Sequence, residues 1–155
     1  MAGGKDPFET TLHKTNEWLA TIMQRLSWED RFRAWAALRS VLHVLRDRLT
    51  VEEAAALGAQ LPLLIRGLYY EGWVPTQEHE RIKQQDELAE RIAQGMRGYQ
   101  EVIDPNEVMH VVIDVLTEHI SKGAVDHLTS VLPRDLRPLF NRDHAHREPP
   151  EASVR

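Results

Sequence analysis

At 155 residues, with 42% hydrophobic and 28% charged side chains, the chain has the make-up of one globular domain with enough apolar residues for a real core. Its net charge of −5 argues against a dedicated nucleic-acid binder, which carries a basic excess, and the absence of cysteine excludes disulfides, thiolate chemistry and cysteine-bound zinc. The opening MAGGKDPFE has no apolar segment of the secretory kind, and stretches such as residues 108–116 are too short to span a membrane, so a bacterial cytoplasmic protein is the expectation.

Residues 1–7 read as a flexible leader. From residue 8 to about 26, Leu12, Leu19, Ile22, Met23 and Leu26 recur at helical spacing, with Trp18 beside them. Ser27, with Asp30 three residues on, is expected to cap a second helix over about 28–49. Its ladder of Trp35, Leu38, Val41, Leu42, Leu45 and Leu49 leaves Arg39, His43, Arg46 and Asp47 for a wet face. Thr50-Val51-Glu52-Glu53 has the form of a capping box and starts a short helix over 51–59. Pro62 suits the first turn of another, where its missing N–H costs nothing; Leu63, Leu64, Ile65 and Leu68 are its apolar residues.

Tyr69-Tyr70-Glu71-Gly72-Trp73-Val74-Pro75 then forms an aromatic turn, followed by a polar connection over about 76–81. Leu88, Ile92 and Met96 stripe a helix ending near Gly98. Asp104-Pro105-Asn106-Glu107 places an acid at the cap, proline at the first helical position and glutamate at the third. Met109, Val112, Ile113, Leu116 and Ile120 follow at helical spacing, Ser121 caps the next helix, and Pro133 stands in the place of Pro62. The polar, proline-containing stretch 141–155 is expected to be a disordered tail.

Residues 41–69 occur again, diverged but ungapped, as residues 112–140, an offset of 71. Val41/Val112, Leu45/Leu116, Leu57/Leu128, Pro62/Pro133 and Arg66/Arg137 are among the identical pairs, and Tyr69 answers Phe140. Upstream, Trp18, Ile22 and Leu26 match Leu88, Ile92 and Met96 at an offset of 70. Apolar and turn positions are kept in common; positions expected on the surface differ, as in His43 against Asp114 and Arg46 against Thr117. The pattern predicts an all-α fold: a compact helical bundle in one domain over 8–140, made of two homologous halves (about 8–75 and 80–140) packed about a pseudo-twofold axis.

The run ALRSVLHVLRDRLTVEEAAALGAQLPLLIRGLYYEGW holds a Leu49-Thr50 cap, Glu52 and Glu53, Gln60-Leu61-Pro62, and Arg66-Gly67 ahead of Tyr70, Gly72 and Trp73. In these features it resembles the bacterial family called domain of unknown function 2267. The resemblance covers about residues 8–140. It implies a small all-helical protein and brings no activity, substrate or catalytic residue with it.

Chemistry-bearing patterns are sparse. Glu107-x-x-His110 has the spacing used by di-iron helical bundles, with Asp114 one turn on, but Ala36 and Arg39 occupy the matching positions of the first half. No metal site is therefore expected: Glu107 serves the helix start and His110 the surface, with a di-metal bundle on this pair as a third reading. His144 and His146 belong to the tail. There is no Gly-x-Ser-x-Gly and no glycine-rich phosphate loop, so the reading leans away from an enzyme and calls for no cofactor. The arginines of the second helix alternate with acids and suit a salt-bridged face. Arg66, Tyr70 and Trp73 are the candidate binding residues, because amphipathic aromatics beside an arginine suit an interface; they equally suit a plug between the halves. The leading expectation is a non-enzymatic scaffold or protein-interaction module, by a protein partner or by self-association. The alternative is a small-molecule or anion site between the halves.

Overall fold

The computed structural model describes residues 6–75, 85–99, 104–132, 134 and 136–140, and these form eight α-helices and no strand. Most of the expected leader, the connection after residue 75, Pro133 and the tail from residue 141 lie outside them. The fold is all-α. The helices are α1 (Pro7–Leu26), α2 (Arg31–Arg46), α3 (Val51–Ala59), α4 (Leu63–Tyr70), α5 (Gln85–Gly95), α6 (Pro105–His119), α7 (Lys122–Val131) and α8 (Arg137–Phe140).

Helix starts follow side-chain chemistry. Asp6, Asp30 and Asp104 each accept a backbone N–H two residues on, and Thr50 and Glu53 complete both bonds of a capping box. Ser121 accepts from the Ala124 amide. One expected cap is overturned: Ser27 does not start α2. It ends α1 in the left-handed conformation at φ 56°, and Trp28 and Glu29 precede the true cap, Asp30. Pro62 likewise sits one residue outside α4, which begins at Leu63.

Helices α2 and α6, aligned by the sequence echo, pack on each other at the centre. Helix α1 lies on α2 and α6, and α5 lies on α6 and α2. The short pairs α3–α4 and α7–α8 each form a corner, and α3 meets α7. One apolar cluster runs through all of this, from Trp18, Ile22 and Leu42 to Ile92, Val112 and Phe140. Tyr69 is fully buried, its hydroxyl donating to the Ala54 carbonyl at 2.7 Å, and burial pushes its phenol above the ordinary range.

Three expected core positions face out instead. Leu12 is 52% exposed, Leu63 62% and Leu64 40%. Conversely Arg46, expected on the wet face, is buried at 5% exposure, and His43 is half-buried.

Candidate functional site

The end of α4 is held by side chains of α2. The last carbonyls of a helix have no intrahelical donor and carry the negative end of its dipole. At α4 they are met by α2. Arg46 Nη1 donates to the carbonyls of Tyr69 at 2.9 Å and Glu71 at 2.8 Å, while its Nε donates to Asp47 Oδ1 at 2.9 Å. His43 Nε2 lies 2.8 Å from the Leu68 carbonyl; since a carbonyl only accepts, Nε2 carries the proton. Burial holds His43 below its ordinary value; the bond to Leu68 and the Asp47 charge oppose that shift, while Arg46 and Arg39 add to it. The sequence echo places Asp114 and Thr117 at these positions, and the Thr117 hydroxyl donates to the Asp114 carbonyl. Sequence reasoning missed the brace, although two hydrogen-bond donors one turn apart, His43 and Arg46, were a usable signal.

Of the three residues expected to bind, Tyr70 and Trp73 stack on each other, and Arg66 is turned to the end of α3. Arg66 clamps the end of α3: Nε donates to the Gly58 carbonyl at 2.9 Å and Nη2 to the Leu61 carbonyl at 3.1 Å. Arg137 makes the matching clamp on Leu132 at 3.0 Å and Ser130 at 3.2 Å, which accounts for an arginine at both positions of the sequence echo. Arg66 also lines a cleft of about 490 Å³ with Trp18, Gln60 and His119. Tyr70 and Trp73 are not among its walls. Tyr70 presses on Gly58, where a Cβ would strike its ring, and stacks at a tilt on Trp73 with centroids 5.3 Å apart. Gly72, at φ 70°, turns the chain so that Trp73 folds back half-buried.

Phe8 and Leu12 stand one helical turn apart on α1, with Thr11 between them. The Thr11 hydroxyl accepts the Leu64 amide at 2.9 Å, tying this face to the start of α4. Phe8, Leu12, Leu63 and Leu64 are all exposed on these two tied helices, Phe8 at 75%.

Between α2 and α5 lies an open groove of about 920 Å³. Arg39, His43 and Asp47 line it from α2, and Glu87, Arg91 and Gly95 from α5. Gly95 sits directly on Ser40, whose hydroxyl a Cβ would strike. The other crossing of this kind, α1 on α6, is bridged: Arg25 Nη2 donates to both carboxylate oxygens of Glu118, at 2.8 and 2.9 Å. By the sequence echo, Arg25 corresponds to Gly95 and Glu118 to Asp47.

Glu107 is exposed on the first turn of α6, where Asp104 caps its amide, and His110 is half-buried one turn on. No three His, Asp or Glu side chains gather in a metal-binding arrangement among the described residues. Several arginines are engaged with acids or rings: Arg39 with Glu71 at 3.0 Å, and Arg33 over the Trp28 ring at 4.1 Å. No helix among the described residues is long and apolar enough to cross a membrane.

Residues 15–139 match the family described as Uncharacterized conserved protein (DUF2267), and the chain belongs to that family. No curated protein matches it.

Proposed function

We propose that this family member is a non-enzymatic protein-interaction module of the bacterial cytoplasm, built from two copies of one helical unit. The reading as a docking protein is carried by the patch of Phe8, Leu12, Leu63 and Leu64. Four large apolar side chains held outward on two tied helices expose a surface whose burial is favourable, at about 25 cal/mol per Å² removed from water. The occupant is a protein's apolar face, with a second copy of this chain as the first candidate. The two-copy reading is supported by matching neighbours: α1 on α6 answers α5 on α2, and the Arg66 clamp answers that of Arg137. These parallels fit a pseudo-twofold arrangement of the halves in one domain. Tyr70 and Trp73, braced by Arg46 and His43 at the exit of α4, are proposed as a secondary contact ledge.

The test is hydrodynamic, with a crosslinking arm. The mass of the wild type is expected to rise above the 17.9 kDa monomer as concentration increases. The double substitution Phe8→Ser/Leu63→Ser should stay monomeric with its helical signal unchanged. A photo-crosslinker at position 63 should capture protein where one at the exposed Phe32 does not. A wild type that stays monomeric, and crosslinks from both positions alike, removes the reading.

A second reading is ligand binding between the halves. It is favoured by the α2–α5 groove of about 920 Å³, which is lined by a helix of each half.

A further inference from the structure

A cleft of about 270 Å³ lies where α3 meets α7. It shares no lining residue with the α2–α5 groove or with the exposed set Phe8, Leu12, Leu63 and Leu64. One stripe of each helix lines it: positions 53, 56, 57 and 60 of α3, and 124, 127, 128 and 131 of α7. Leu57 and Leu128 are its buried part, and Ala124 and Val131 beside them are half-buried. The Ser121 amide donates to Gln60 Oε1 at 3.3 Å and ties the end of α3 to the start of α7. Gly123 also lines the cleft, and no atom lies within 4 Å of the place where its Cβ would stand. Two tied helices therefore keep an apolar slot between them.

Size and polarity select the occupant. A cavity of about 150 Å³ holds one benzene ring, so a cleft of this volume takes two fused rings. Such a body gains by contact with Leu57, Leu128 and Val131. Glu53 sets the polar end. The Thr50 amide donates to its Oε2 at 3.0 Å, and its Oε1 accepts no hydrogen bond among the described residues. Glu53 stands in the first turn of α3, where the positive end of the helix already offsets its charge. That helix end repels an ammonium, which leaves a neutral N–H as the better donor to Oε1.

We propose that the α3–α7 cleft binds an indole-sized aromatic group whose ring N–H donates to Glu53 Oε1. The group is supplied by a free indole compound or by a tryptophan side chain. The test uses the full-length chain, ¹⁵N-labelled, and follows the amide signals of Ala56, Ala124 and Val131. Indole, N-methylindole and the peptide acetyl-Gly-Trp-Gly-amide are added separately.

Saturable shifts with indole or the peptide are expected. N-methylindole, which lacks the donor, should bind roughly fivefold more weakly than indole, as for loss of one hydrogen bond. Glu53→Gln should weaken indole by a similar factor; glutamine keeps the capping bond to the Thr50 amide, so the helix start survives. Gly123→Leu grows into the cleft and should abolish binding. Where that variant fails to fold, Ala56→Leu, at an exposed position of α3, fills the cleft from the other side. Tighter binding of the peptide than of indole supports the site with a protein's tryptophan as its occupant, and the reverse order supports it with a small molecule. Undiminished shifts in the folded filling variants overturn the site. Equal affinity for indole and N-methylindole, with Glu53→Gln unchanged, overturns the Glu53 contact and the ligand class with it. No saturable shift with any probe overturns the proposal outright.

Discussion

Replacing Arg46 by alanine tests the brace at the end of α4. The guanidinium is 5% exposed and makes three hydrogen bonds: to the Tyr69 and Glu71 carbonyls and to Asp47. Hydrogen bonds to charged groups contribute about 1.5–3 kcal/mol each, and removing one partner of a buried ionic cluster costs about 3–5 kcal/mol. Two features lower the figure here. Glu71 is exposed, so water can reach its carbonyl, and Asp47 can turn its carboxylate to solvent. The buried aliphatic stem adds back part of what water recovers. A loss of about 3 kcal/mol is expected, read as a lower urea midpoint at unchanged slope. Arg46→Lys should recover only part of this, since an ammonium lacks the fork that reaches two carbonyls and a carboxylate together. Arg46→Met, which keeps the stem, separates packing from hydrogen bonding. A loss below about 1 kcal/mol for Arg46→Ala would refute the brace, because surface arginines give values of that size.

Two further outcomes follow from individual side chains. His43 and His119 are both held below their ordinary value of 6.5, in each case mainly by burial; around His119, Glu118 and Glu17 oppose the shift and Arg25 adds to it. The unfolded chain therefore takes up protons first as pH falls, so stability present above pH 6.5 declines as pH drops through the folded-state values. The urea midpoint should be lower near pH 5 than near pH 7, and His43→Gln, which keeps a donor for Leu68, should flatten part of that slope; equal midpoints would exclude the effect. Gly58→Ala should destabilise by about 1–3 kcal/mol by displacing the Tyr70 ring, and should shift Trp73 emission with it. Gly67→Ala, on exposed α4 surface with no atom within 4 Å of the new Cβ, should stabilise by about 0.5–1 kcal/mol. Thermal melts of the two variants decide it, and a shared sign would contradict the packing at one of them.

The parts of this fold that were legible in the sequence are those decided within one turn of helix. The capping box at Thr50, the Asp104–Pro105 start and the Ser121 cap all depend on a side chain reaching an amide two or three residues away. The apolar ladders of α2 and α6 were equally plain, since their spacing reports a buried face. What was hidden depends on the neighbour. Arg46 lies off the ladder and would be wet on an isolated helix; α4 ends beside it, and the orphan carbonyls there make burial of a guanidinium favourable. Leu63 and Leu64 have core chemistry, yet α4 is short and turns one face to α2 and α3, so both start the helix facing outward. Ser27 looked like a cap because its side chain suits one, but a left-handed residue was needed to end α1 first.

The sequence echo changes meaning once these neighbours are known. Positions shared by residues 41–69 and 112–140 answer packing demands that recur: the ladders, the caps, and the Arg66 and Arg137 clamps. Differences between them are not confined to solvent-facing positions, as expectation had it. His43 and Arg46 brace the aromatic exit of α4, where the echo has Asp114 and Thr117. Gly95 and Asp47 stand on the wall of the α2–α5 groove where Arg25 and Glu118 bridge the α1–α6 crossing. Both differences lie on α2 or face it, and His43 belongs to both, holding Leu68 while lining the groove. The groove wall therefore sits one side chain away from the carbonyls that end α4. The groove wall and the Tyr70–Trp73 ledge have a direct physical connection, through His43 and through the Asp47–Arg46 bond.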